Sequence, residues 1–190
     1  DLPWRKYASV IHVPIVEHGY LDLKVLREIL LEYKGKVKLV AVGGASNITG
    51  LCSPIHHIAE LAHAAGAKIF VDAAQLAPHR PIDILPNDFP RHIDFIAFSA
   101  HKMYAPFGTG VLIGPNDFFE ESVPDAVGGG VASVVTLDGV EWNHVPHNDE
   151  AGSPNVVGGV AMAEAACMLQ SVGMETIAGH EQHLLDYAFK

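Results

Sequence analysis

The chain has 190 residues, about the length of one domain, and is 49% hydrophobic and 18% charged, which is ample for a core and argues against disorder. The formal net charge of -10 makes nucleic acid and anionic membrane poor partners. The two cysteines, Cys52 and Cys167, lie far apart with no CxxC or Cys/His ligand spacing, so the chain reads as cytoplasmic, without structural disulfides and without a metal site.

No signal peptide is visible near the start, and the stretch from Asp1 to Tyr7 carries no initiator methionine, so the chain reads as the middle of a longer protein. Ile11 to Ile15 is a candidate short strand. Asp22 can cap a helix that runs to about Tyr33 with Leu23, Leu26, Ile29 and Leu30 on one face. Val37 to Val42 predicts a strand, and Gly43 to Asn47 the loop after it. Pro54 opens a helix that Gly66 ends. Ala67 to Val71 is a second strand ending at Asp72. A proline-rich connection leads to a third strand, Ile93 to Ser99. Gly108 to Gly114 is a fourth strand, and Asn116 to Glu121 a short helix. Val127 to Trp142 is glycine-rich, a loop containing a hairpin. Ser153-Pro154 looks like an N-cap followed by the first helical residue, opening a long helix to about Ser171. A last helix runs from Met174 to Phe189. Val156 to Val172 is apolar, but Glu164 and Gln170 interrupt it, so it predicts a buried helix rather than a membrane span.

Strand, helix, strand, loop, strand is an α/β pattern with a mostly parallel sheet, and the near-continuous apolar runs predict strands covered on both faces. Ligands in such sheets bind outside the carboxyl ends of the strands. There the first strand leads into Asn47, the second ends at Asp72 with Gln75 just beyond, and the third ends in Ser99, His101 and Lys102. A lysine at the mouth of a buried strand can bond an aldehyde, and a serine and histidine beside it can hold a phosphate. Each residue has a blander alternative. Asp72 and Asn47 are common turn formers, His101 could be a satisfied core histidine, Ala74 could be plain packing, and Ser153 could be a helix cap. It is the convergence on one edge that favours chemistry.

Five segments carry a family resemblance. They are Ser46-Asn47-Ile48-Thr49-Gly50, Asp72-Ala73-Ala74-Gln75, Ser99-Ala100-His101-Lys102, Pro106-Phe107-Gly108-Thr109-Gly110 and Glu150-Ala151-Gly152-Ser153-Pro154-Asn155. In this order they resemble the class V aminotransferases, fold-type I enzymes of pyridoxal 5'-phosphate (PLP) that include cysteine desulfurases and selenocysteine lyases. The resemblance implies a three-layer α/β fold with a mostly parallel sheet, present here as an incomplete large domain. Residues 1–153 would be part of the PLP-binding large domain, and 154–190 the interdomain helix and the start of the small domain.

It further implies that Lys102 forms the Schiff base and moves the proton at the substrate's α-carbon. Asp72 would pair with the pyridine nitrogen, Gln75 would donate to the phenolic oxygen, and Ala74 would pack under the ring. Ser99 and His101 would hold the phosphate, with Ser153 reaching the phosphate of a neighbouring subunit. Asn47 would lie near the phenolic oxygen or the substrate carboxylate. A homodimer with shared sites acting on an α-amino acid follows from the same resemblance. The alternatives are the desulfurase or lyase branch and, in another class, a PLP-binding or structural fragment without turnover. A nucleotide-binding α/β domain is disfavoured because Gly108-Thr109-Gly110 opens a strand rather than a helix. The pattern departs from the family at His147-Asn148-Asp149, where an arginine is usual, and in the long Asp72 to Ser99 connection. Cys167 reads as a small core residue, and Cys52 receives no role.

Overall fold

The computed structural model describes residues 2–190, so Asp1 of the opening stretch lies outside the described residues. In chain order the elements are α1 (Leu2–Arg5), α2 (Leu23–Glu32), β1 (Leu39–Gly43), α3 (Ile55–Ala64), β2 (Lys68–Asp72), β3 (Phe95–Ser99), β4 (Gly110–Ile113), α4 (Asn116–Glu120), β5 (Ala132–Val135), β6 (Val140–Trp142), α5 (Val156–Val172) and α6 (Met174–Ala188). The fold is α/β with a mostly parallel sheet in the order β1-β2-β3-β4. β1, β2 and β3 run parallel, and β4 returns antiparallel along β3. β5 and β6 form a separate hairpin inside the glycine-rich segment.

Local chemistry explains the main elements. The Asp22 carboxylate accepts from the backbone N–H groups of Lys24 and Val25, both at 3.0 Å, and so starts α2. The buried Leu26 and Leu30 stand four residues apart on the inner face of that helix. Ile55, Ile58, Ala59 and Ala62 form the buried stripe of α3. Along β2 the pleat sends Ile69 and Val71 into this core while Lys68, Phe70 and Asp72 point to the other side. The core thus lies between the sheet and α2 with α3, and Ile93 and Ile96 extend it to β3. The opposite sheet face is only half covered among the described residues. There Trp4 of α1 packs edge-on to Phe70, ring centroids 5.3 Å apart. Strands covered on both faces are expected from the sequence; among the described residues β3 meets this at its start, where Phe95 and Ile96 are both buried, whereas β2 buries one face.

Other expectations need correction. Ile11 to Ile15 is not a strand; only an isolated bridge joins Ile15 to Leu21. Pro54 occupies the cap position of α3 and not its first helical position. The predicted start of the long helix at Ser153-Pro154 is also displaced. α5 begins at Val156, and its cap is Asn155, whose Oδ1 accepts from the Gly158 N–H at 3.0 Å. Ser153 lies two residues upstream and is exposed. Asn155 wins because its amide serves two segments at once: Nδ2 also donates to the Phe107 carbonyl at 2.6 Å. Cys167, expected in the core, is exposed. The buried positions of α5 are Gly158, Ala165 and Leu169, and Cys167 faces away from that stripe.

Candidate active site

Parallel pairing brings the carboxyl ends of three strands to one edge. Gly43 at the end of β1 pairs with Asp72 at the end of β2, and Asp72 pairs with Ala97, two residues before the end of β3. Ser99 is the last residue of β3, half buried and extended. A 3-10 turn over Ala100–Met103 follows, with Ala100 and Met103 buried. The turn is held from both sides, since the Ala100 N–H donates to Thr109 O at 3.0 Å and the Ala105 N–H to Ala100 O at 3.1 Å. Its small residues pack on α5 through Ala165. Burying Ala100 and Met103 turns Lys102 to the rim, where it is half buried, and leaves His101 exposed. A satisfied core histidine is therefore not the description of His101.

The strand-end groups meet in a hydrogen-bonded chain. Lys102 Nζ donates to Gln75 Oε1 at 3.0 Å. Gln75 reaches it from the turn after β2, where the Leu76 and Ala77 N–H groups both donate to Ala73 O. Gln75 Nε2 lies 3.1 Å from His79 Nε2, and His79 Nδ1 lies 2.5 Å from Glu181 Oε1 of α6. The second Glu181 oxygen accepts from Arg80. Burial by itself would raise the Glu181 pKa, but the bonds from His79 and Arg80 outweigh it and hold the carboxyl below its ordinary value. At the head of this turn Asp72 Oδ1 accepts from the Ala74 N–H at 3.0 Å, so its turn-forming role is present. Its other oxygen and its exposed position leave the carboxylate able to accept a further donor. Ala74 is half buried beside it.

The remaining candidates stay apart from this chain of bonds. Asn47 is exposed in the loop after β1, and the local turn is made by its neighbour Ser46, whose Oγ accepts from the Ile48 and Thr49 N–H groups, both at 3.2 Å. Ser153 is exposed ahead of α5. Sequence reasoning missed His79, Glu181 and Asn155. His79 had a usable signal, its spacing of four from Gln75; Glu181, 102 residues from His79, had none.

A second polar group sits at the opposite edge, where β2 and β3 begin. Asp94, with a side chain only 3% exposed, accepts from Lys68 Nζ and His63 Nε2, each at 2.8 Å, and from the Ile69 N–H at 2.9 Å. His92 stacks on His63 with centroids 4.2 Å apart. Two of the chain's twelve histidines thus meet here, and His63, His92 and Asp94 are the one group among the described residues whose ligand atoms approach a metal-ligand spacing. The Lys68 ammonium already occupies the carboxylate. An open cavity of about 500 Å³ lies against this edge. His63, Lys68, His92 and Asp94 of its lining are committed to one another, so the chemistry points to the Lys102 edge.

Comparison with known proteins agrees with the strand-end motifs. The family model for aminotransferase class-V matches residues 2–190. A probable cysteine desulfurase of Halobacterium salinarum is 38% identical over 182 residues, covering 96% of this chain and 42% of that protein. One from Aeropyrum pernix is 42% identical over 199 residues, covering 100% of this chain and 46% of that protein. Among solved structures, an apo cysteine desulfurase from Thermococcus onnurineus superposes with a TM-score of 0.87 at 32% identity, over 98% of this chain and 46% of that one. The Escherichia coli cysteine desulfurase CsdA, in an S-sulfonic acid form, gives 0.82 at 33% identity over 92% and 43%. The chain spans less than half the length of these relatives. No single helix among the described residues is long and apolar enough to cross a membrane; α5 and α6 together reach that length only across a 71° bend.

Proposed function

The chain belongs to the class-V aminotransferase family, and on that premise we propose that it forms part of a PLP-dependent enzyme that acts on an α-amino acid, with removal of sulfur from cysteine as the reaction. The relatives' names favour desulfuration over amino transfer. The residues at the sheet edge fit this cofactor: an amine for its aldehyde, a carboxylate for its ring nitrogen, an amide for its ring oxygen, and a hydroxyl and an imidazole for its phosphate. Bound PLP supplies an electron-withdrawing ring that stabilises negative charge at the substrate's α-carbon.

The residues of this chain then have distinct tasks. Lys102 supplies the amine that holds the cofactor and, once released, carries the proton at the α-carbon. Asp72 keeps the ring nitrogen protonated. Gln75 donates an N–H to the ring oxygen, and Ala74 leaves room for the ring face. Ser99 and His101 hold the phosphate, and Ser153 approaches the phosphate of a neighbouring subunit's site. Asn47 orients the ring oxygen or the substrate carboxylate. Residues 1–153 belong to the large domain in this reading, and 154–190 begin the passage to the small one. A cytoplasmic homodimer with shared sites completes it. Exposed Val156, Val157 and Val160 of α5 and Leu137 of the hairpin turn offer the apolar surface such a partner needs.

The observation that carries the proposal is the 3.0 Å bond between Lys102 and Gln75 at the strand edge that also ends in Asp72. The protein purified with PLP is expected to show a visible absorbance band that is lost in Lys102→Ala. With a thiol reductant present to accept the sulfur as a persulfide and reduce it, the protein is expected to convert cysteine to alanine and sulfide. Absence of the band in the unaltered protein, or its survival without the lysine, contradicts the cofactor reading. A band with amino transfer and no sulfide replaces desulfuration by the other branch.

A further inference from the structure

We infer that His79 and Glu181 are positioning residues that set which end of the Gln75 amide faces Lys102, so that α6 reports on the cofactor edge. The inference deepens the cofactor reading above and rests on it for its functional meaning. Its structural content stands on the hydrogen-bond chain alone.

Donor and acceptor counting fixes every orientation. The Lys102 ammonium only donates, so the Gln75 atom 3.0 Å away must be the carbonyl oxygen. The Gln75 nitrogen, which only donates, therefore faces His79 Nε2 at 3.1 Å, and that ring nitrogen must accept. The neutral ring then carries its proton on Nδ1, where Glu181 Oε1 accepts it at 2.5 Å. Arg80 binds the other Glu181 oxygen and the His79 carbonyl, which pins the carboxylate in place. Turning the Gln75 amide over would set its NH2 group against the ammonium. It would also require a proton on His79 Nε2, and a neutral ring would then aim an Nδ1 lone pair at the Glu181 carboxylate. One choice, made at Glu181, propagates to Lys102.

The arrangement suits the proposed site. With one amide N–H committed to His79, Gln75 keeps a second to donate to the ring oxygen of the cofactor. A freely turning amide would offer that oxygen a carbonyl part of the time. Glu181 stands on α6, whereas Gln75 and His79 belong to the turn after β2, so a movement of α6 changes the hydrogen bonding at the lysine without touching it. His79, Arg80 and Glu181 side chains are each about one third exposed, so variants can be solvated rather than left as buried orphans.

The test uses the whole protein and two readouts. In the PLP-free protein, nitrogen-15 NMR of the histidine rings is expected to show His79 with its proton on Nδ1, and Glu181→Ala to shift it toward the Nε2 form. With PLP, His79→Leu and Glu181→Ala are expected to change the ratio of visible to near-ultraviolet cofactor absorbance and to weaken PLP binding about two- to tenfold, the effect of one hydrogen bond. Glu181→Gln, which retains an acceptor for Nδ1, and His79→Gln, which retains one for the amide, are expected to restore most of the wild-type spectrum. If His79→Leu fails to fold, the Glu181 variants carry the comparison. An Nε2-protonated His79 in the wild type, or spectra and affinities unchanged in the variants, overturns the positioning role. A wild type that gives no lysine-dependent visible band overturns the cofactor reading instead and leaves the NMR result to decide the hydrogen-bond chain.

Discussion

Replacing Asp94 by asparagine removes one charge from the edge opposite Lys102 while keeping the side chain's shape. In the folded protein this carboxyl is held down to about 2 from 3.8, because the bonds from His63, Lys68 and the Ile69 N–H outweigh the burial that would raise it. Each tenfold change in acidity corresponds to about 1.4 kcal/mol, so the depression from 3.8 to about 2 corresponds to about 2–3 kcal/mol of stability at neutral pH. The sign follows from the direction: a carboxyl whose folded value is below its unfolded one stabilises above the unfolded value, and the contribution is lost as pH falls from about 4 through about 2. An asparagine can accept with one atom only and turns its NH2 toward donors. With its oxygen in the Oδ2 position, asparagine keeps the bonds from His63 and the Ile69 N–H, and its NH2 faces Lys68, whose half-exposed ammonium can turn to water; what is lost is the charge that strengthens all three bonds. Asp94→Asn should therefore cost about 2–3 kcal/mol near pH 7, somewhat less than breaking a fully buried pair. Denaturant unfolding followed by circular dichroism at neutral and acidic pH measures both quantities. A variant within about 0.5 kcal/mol of the wild type near pH 7, or one that keeps the wild type's acid-limb slope, refutes the reasoning.

Ile58, with 0% exposure at the centre of the α3 stripe, should cost about 2–5 kcal/mol on truncation to alanine, read as a lower denaturation midpoint with unchanged slope. A loss under about 1 kcal/mol would mean that the site collapses around the cavity. Asn155→Ala should destabilise by about 1–2 kcal/mol and speed amide exchange in residues 106–110, because it removes both the cap of α5 and the tie to Phe107 O. Unchanged exchange there would show that the tie does not hold that loop. Ser153→Ala should leave the helix intact, since Ser153 is not its cap.

Read from the chain alone, β2 and β3 and the groups at their ends were plain. Apolar runs of strand length end at Asp72 and Ser99, and the order of five short motifs points to one family. Asp22 was equally legible, since an N-cap acts within three residues of itself. Local rules could not choose between Ser153 and Asn155 as the cap of α5, because either side chain can accept from a helix N–H. The Phe107 carbonyl, 48 residues away, makes the choice. The exposure of Cys167 is illegible in the sequence for a related reason: α5 is apolar nearly all round, so hydrophobicity does not say which face is inward.

Sequence by itself determined the α/β pattern, the strand-end lysine and the residue types beside it, because these depend on near-neighbour periodicity and spacing. Only the tertiary structure decided that Gln75, and not Asn47 or Ser153, bonds Lys102. It alone brought Glu181 of α6 to His79 and gathered Asp94, His63 and Lys68 at the far edge. Those are hydrogen bonds and ion pairs between groups 26 to 102 residues apart. Their energy depends on ångström-scale geometry that only packing of the sheet and helices can set.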